Sequence, residues 1–149
     1  MVTFDVRKAT FQDMPMLAVM VYRLFEEETG EILTDAKERY IQAYIMHEFM
    51  AGNLHAVVAT VIKRKKERVI GMAMFDIRVH PYGGVHAWGN HLYVDKEYRG
   101  GTVAKRLIEE AEKFARECGA EEMYVETKVP ALFKRRGYAD SHMTLHKVL

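Results

Sequence analysis

Val2, Phe4 and Val6 alternate with polar neighbours, which predicts a strand that ends before Thr10. Thr10 and Asp13 form a helix-capping pair, and Met14, Leu17, Val21, Leu24 and Phe25 then recur at three- and four-residue steps, so they share one helical face. That helix fades in "EEETGE", Glu26 to Glu31. A second helix is predicted from Thr34, with Tyr40, Ala43, Tyr44 and His47 on its apolar stripe and Gly52–Asn53 as its stop. The stretches "LHAVVATVIK" and "RVIGMAMFDIRV" are apolar at both alternation parities, as expected for strands covered on two faces. The basic "KRKKE" between them reads as a solvated hairpin tip, with an anion patch as the other reading.

"PYGG" marks a turn, and "VHAWGNHLYV" is a further strand that runs toward Arg99. Val103, Leu107, Ala111, Phe114 and Cys118 keep helical spacing up to a stop at Gly119. "EEMYVET" is a short strand, Pro130 to Arg136 a short helix closed by Gly137, and "YADSHMTLHKVL" the last strand. The resulting order is β-α-α-β-β-β-α-β-α-β. Without repeats or low-complexity segments, and with three prolines, residues 1–149 read as a single domain.

Charge and composition narrow the function classes. Against 21 acidic side chains stand 22 basic ones, so no overall field favours nucleic acid or an anionic membrane, and neither is expected as a partner. Cys118 is the single cysteine, which excludes an internal disulfide and fits a reducing compartment. A charged, alternating N-terminus and the lack of an apolar run near 18 residues predict a soluble cytoplasmic protein. Among the seven histidines, His142 and His146 share a strand parity, and His80, His86 and His91 gather near one hairpin; no carboxylate or cysteine stands at a ligand spacing, and no metal is expected.

The stretch "YRGGTVAKRLIEEAEKFAREC" sets Arg99, Gly100 and Gly101 between a strand and a helix. A flexible join explains the glycines; so does an anion site built from the free amides of the helix start. Neither GxGxxG nor a Walker loop is present.

The element order, the strand "NHLYV" feeding "DKEYRGGTVAKRLI", and the later "ALFKRRGY" resemble the GCN5-related N-acetyltransferases. The resemblance runs from about His86 to Tyr138 and covers the first half in element order only. It implies an α/β fold of the α+β layered kind, with a mixed, mostly antiparallel central sheet and helices on both faces. It also implies transfer of an acetyl group from acetyl-CoA to a primary amine of a small molecule or peptide, by direct attack in a ternary complex. A homodimer is compatible with it. The family motif places arginine or glutamine first and glycine or alanine last: Arg99 and Ala104 fit, while Thr102 stands where glycine is usual. By this correspondence Arg99, Gly100, Gly101, Thr102, Val103 and Ala104 hold the pyrophosphate, and the backbone of Leu92, Tyr93 and Val94 holds the pantetheine arm, with Gly89 suited to a bulge beside it. Phe133 lies at the coenzyme site where the family has a tyrosine general acid.

For the base, His86 and Asn90 share one parity of their strand, and Glu126 ends the next; a bulge would break that parity. The carboxylates of Glu26–Glu31 either attract a cationic amine or decorate a solvated helix end, and Tyr22, Tyr40 and Tyr44 either line an acceptor cavity or pack in the core. The other function class in play is an acyl-CoA-binding protein on the same fold with weak or no turnover, to which Thr102 and Phe133 point.

Overall fold

The strand Leu54–Lys63 is apolar on both faces and must be covered twice, and that demand organises the fold. The computed structural model describes residues 3–141 and 145–149. Its strands are β1 (Asp5–Lys8), β2 (Leu54–Lys63), β3 (Lys66–Val79), β4 (Val85–Val94) and β5 (Glu122–Val125). Its helices are α1 (Met14–Thr29), α2 (Asp35–Met50), α3 (Val103–Glu117) and α4 (Pro130–Lys134). The strands form one sheet in chain order, antiparallel from β1 to β4 and parallel between β4 and β5.

Alternation along the strands divides the core into two layers. Val58, Met72, Met74 and Tyr93 point to one face and pack with Met14, Leu17 and Met20 of α1 and Ile45 of α2. Val57, Ala59, Ile70, Phe75 and Val94 point to the other and pack with Leu107 and Ala111 of α3. The sheet thus carries helices on both faces, and Gly71 lets α3 approach: a Cβ there would stand 2.9 Å from the Tyr93 carbonyl oxygen and 3.2 Å from Leu107. The basic tip between β2 and β3 is a two-residue hairpin in which Arg64 and Lys65 both take left-handed angles, the geometry of a type I′ turn.

The helical stripe expected on α2 is corrected by the packing. Tyr40 and Tyr44 are exposed and stack on each other, while Ile45 is buried and Ile41, Met46 and Phe49 pack against the core. The apolar side chains of Ile41, Ile45, Met46 and Phe49 bury area without a hydroxyl to satisfy, so they win the inner face.

The strand expected over Tyr138–Leu149 is not formed by its described part: residues 138–141 and 145–149 have no strand, and 142–144 lie outside the described residues. Tyr138 is drawn toward α3, where its hydroxyl donates to Glu112 at 2.9 Å, and Asp140 pairs with Lys134 of α4 at 3.2 Å. These ties hold the segment's start at the helices and away from the sheet edge.

Candidate active site

Strand β4 changes neighbours halfway along. His86, Ala87, Trp88 and Gly89 pair with Glu122, Met123, Tyr124 and Val125 of β5, and the last link is Glu126 N–H donating to the Gly89 carbonyl at 3.4 Å. Beyond Gly89 the two strands part. At this point β4 also bulges: Gly89 faces Phe75 and His91 faces Met74, which leaves Asn90 as the extra residue. Gly89 is needed here because a Cβ would meet Val125 at 3.1 Å and Met123 at 3.3 Å.

The parting opens a cavity of about 540 Å³. Asn90, Leu92, Tyr93, Val94 and Arg99 line one wall and Val125, Glu126, Thr127 and Lys128 the other. Ala104 and Ile108 of α3 and Phe133 of α4 close one end, and Leu24, Glu27 and Glu28 of α1 another. A larger hollow of about 770 Å³ runs beside β5, α3 and α4, but it does not reach the turn before α3.

That turn differs from the start of α2. At α2 the Thr34 hydroxyl accepts from the Lys37 amide at 3.3 Å, whereas the Thr102 hydroxyl makes no capping bond to the first turn of α3. Gly100 takes a left-handed φ of 84°, and neither Gly100 nor Gly101 would bring a Cβ within 4 Å of any other atom. A bare backbone therefore leads into uncapped amides at the positive end of a fifteen-residue helix.

Arg99 is held by several partners. Its Nε donates to the Val94 carbonyl at 2.7 Å, one terminal nitrogen reaches both Glu27 carboxylate oxygens at 2.9 Å, and the guanidinium stands 5.2 Å from the Tyr93 ring centre. On the opposite wall the Lys128 ammonium donates to the Glu28 carbonyl at 3.2 Å. The last turn of α1 is thereby tied to both walls.

The base candidates separate in space. Asn90 and Glu126 line the cavity. His86 does not: it lies on the paired half of β4, 3.9 Å from Glu122, with its ring tilted against those of His80 and Tyr124. The parity once shared by His86 and Asn90 is lost, because Asn90 is the bulged residue. Phe133 is buried, with its ring edge-on to Tyr138 at 5.3 Å.

Burial first, then the bond to Glu112, pushes the Tyr138 hydroxyl well above the ordinary tyrosine range. The Tyr22 hydroxyl donates to the Glu38 carbonyl, so it joins α1 to α2. Neither it nor exposed Tyr40 and Tyr44 lines the cavity. Burial also raises the Cys118 thiol, whose sulfur lies 4.0 Å from His55.

Glu27, Glu28, His91, Lys128 and Tyr138 line the same cavity; from sequence the glutamates were read either as attracting a cationic amine or as a solvated helix end, His91 only among possible metal ligands, and Lys128 and Tyr138 were given no site role. The bulge that Gly89 suggested falls at Asn90, and its exact position, which sequence did not give, decides where His91 lies. Among the described residues no group of three or more histidine, cysteine, aspartate or glutamate side chains is arranged to hold a metal, and no helix is long and apolar enough to cross a membrane.

A layered sheet that parts between its fourth and fifth strands, above a glycine turn and a bare helix start, is the architecture of an acyltransferase. The chain belongs to the Acetyltransferase (GNAT) family, which its sequence matches over residues 18–138. Solved structures share the fold along nearly the whole chain. A predicted acetyltransferase with acetyl-CoA from Clostridium acetobutylicum is 18% identical, with 98% of this chain and 96% of that chain covered and a TM-score of 0.83. A GCN5-related N-acetyltransferase from Ralstonia eutropha JMP134 is 15% identical over 98% and 99% of the two chains, with a TM-score of 0.83. A ribosomal-protein-alanine N-acetyltransferase from Brucella melitensis biovar Abortus 2308 is 18% identical over 99% of both chains, with a TM-score of 0.70.

Proposed function

We propose that the protein transfers the acetyl group of acetyl-CoA to a primary amine of a small molecule or peptide, by direct attack in a ternary complex. The observation that carries this reading is the single cavity in which the parted β4–β5 walls meet the uncapped start of α3. In this reading the amides of Gly101, Thr102, Val103 and Ala104 hold the pyrophosphate, where the helix dipole adds to their hydrogen bonds. Backbone groups of Leu92–Val94 that β5 no longer engages hold the extended arm in a strand-like manner. Bound acetyl-CoA supplies an activated acyl carbon and a thiolate leaving group.

Holding amine and acyl carbon together supplies much of the acceleration, and an amide of the parted strand stabilises the developing oxyanion. The Phe133 ring has no proton to give. A thiol with a reference pKa near about 8.5 leaves as thiolate and takes its proton from water. The Glu27–Arg99 and Glu28–Lys128 ties fix the α1 wall on the side from which the amine enters.

The second reading is a coenzyme-binding protein without turnover, favoured by Phe133 and Thr102. Thiol release from acetyl-CoA across a panel of amines, with acetyl-CoA binding measured by calorimetry, separates the two. The transferase reading expects amine-dependent release, and tight binding with no release on any amine would sink it.

A further inference from the structure

His91 follows the bulged Asn90 directly and faces Met74 across the β3–β4 ladder. Along this half of β4, Tyr93 packs into the α1–α2 layer while Leu92 and Val94 pack toward α3, so alternation puts His91 on the α1–α2 face. His91 lines the 540 Å³ cavity at the point where the strands part. Nδ1 is buried and has no hydrogen-bond partner among the described residues. A buried imidazole nitrogen without a partner is costly unless something completes it, and among the described residues His91 is the one with such an atom that also lines this cavity.

We propose that His91 receives the proton of the attacking amine, an assignment that rests on the acetyl-transfer reading above. The amine lone pair forms the new C–N bond, the C–S bond breaks with its electron pair on sulfur, and the ammonium proton passes to the lone-pair nitrogen of the imidazole and on to water. No oxidant, reductant or further reactant is needed. Burial lowers the imidazole pKa, so the ring is neutral and ready to accept at pH 7.

Several charged groups stand around the cavity that His91 lines. From α1 come Glu27 and Glu28, and from the segment after β5 come Glu126 and Lys128. From β3, on the same face, comes Asp76, bound to Arg78 at 2.9 Å, and Arg99 is committed to Glu27.

The test compares His91→Asn and His91→Gln with the unaltered chain, using acetyl-CoA and the same amine panel. The proposal expects kcat to fall by about 100-fold, KM for acetyl-CoA to stay within about twofold, and the acid arm of the kcat profile to flatten, while melting temperature and acetyl-CoA affinity stay near the original. Unchanged kcat and pH profile overturn it. A kcat loss with unaltered profile shape and a parallel loss of acetyl-CoA binding also overturns it, as a purely structural role. A second readout is the imidazole NMR signal of His91, assigned by its disappearance in His91→Asn. Saturating acetyl-CoA should move it while leaving that of His55, packed against Phe75 and Phe114, in place; an unmoved His91 signal overturns the proposal. Turnover that ignores the substitutions defeats this proposal alone, whereas an original chain that acetylates no amine defeats the transferase reading with it.

Discussion

From Val85 to Gly89, strand β4 lies between β3 and β5, whereas from Asn90 to Val94 it keeps β3 and loses β5. The first half is built by filling space: Trp88 stacks on Tyr124 at 4.8 Å, Arg78 covers Trp88 at 4.6 Å, and Gly89 is there because no side chain fits. The second half and the turn after it are built by leaving space, with open surroundings at Gly100 and Gly101 and no side-chain cap on α3. A glycine therefore means opposite things at the two ends of one strand. At position 89 it serves packing, and at position 101 it serves a ligand.

The largest expected effect tests that contrast on the filled half. Gly89→Val would press a branched side chain onto Val125 and Met123 and should lower stability by about 1–3 kcal/mol in denaturant unfolding. A variant as stable as the original would show that β5 yields freely and that the paired half is not tight.

On the open half the prediction reverses. Gly101→Val meets no protein atom and needs no left-handed angle, so unfolding should be nearly unchanged while acetyl-CoA affinity falls tenfold or more, about 1.4 kcal/mol. Equal losses of stability and affinity would erase the distinction between the two glycines.

A smaller effect concerns the wall beside the open half. Because burial and the Glu112 bond raise the Tyr138 pKa above its unfolded value, this contribution is full below about pH 10 and is lost as pH rises through the folded value. Tyr138→Phe should cost about 1 kcal/mol at pH 7 and give a flatter decline of melting temperature between pH 9 and 11. Parallel declines in the two proteins would mean that the hydroxyl is not held by Glu112.

The smallest effect is at the α1 wall. Arg99 and Glu27 are partly exposed, so Glu27→Gln should cost no more than about 0.5 kcal/mol. Amide exchange at Gly30 and Glu31 should nonetheless quicken, since one of two ties across the cavity is cut; unaltered exchange would leave the Lys128 contact as the sufficient tie.

Much of this was legible in the residues. The doubly apolar run Leu54–Lys63 and the stretch Val85–Val94 after its turn match β2 and β4 at the observed ends, and the stripe Val103–Leu107–Ala111 reads α3 because local periodicity and burial agree there. On α2 two stripes compete, one aromatic and one aliphatic, and only packing against Met14, Leu17 and the sheet decides between them. The glycine turn was visible through Arg99, Gly100, Gly101 and Ala104. His91 was not, because Gly89 suggests a bulge without saying which residue it displaces, and that residue decides which side chains share a face. The Glu27–Arg99 tie joins residues 72 positions apart, a distance over which pattern carries no information.

The central claim is that the open half of β4 and the start of α3 form one acetyl-CoA site. Backbone amide shifts recorded while acetyl-CoA is titrated into the isotopically labelled chain test it most directly. Large changes should appear at Leu92–Val94 and Gly100–Ala104, with little change at His86–Trp88. Saturable binding that leaves residues 92–94 and 100–104 unmoved would contradict it.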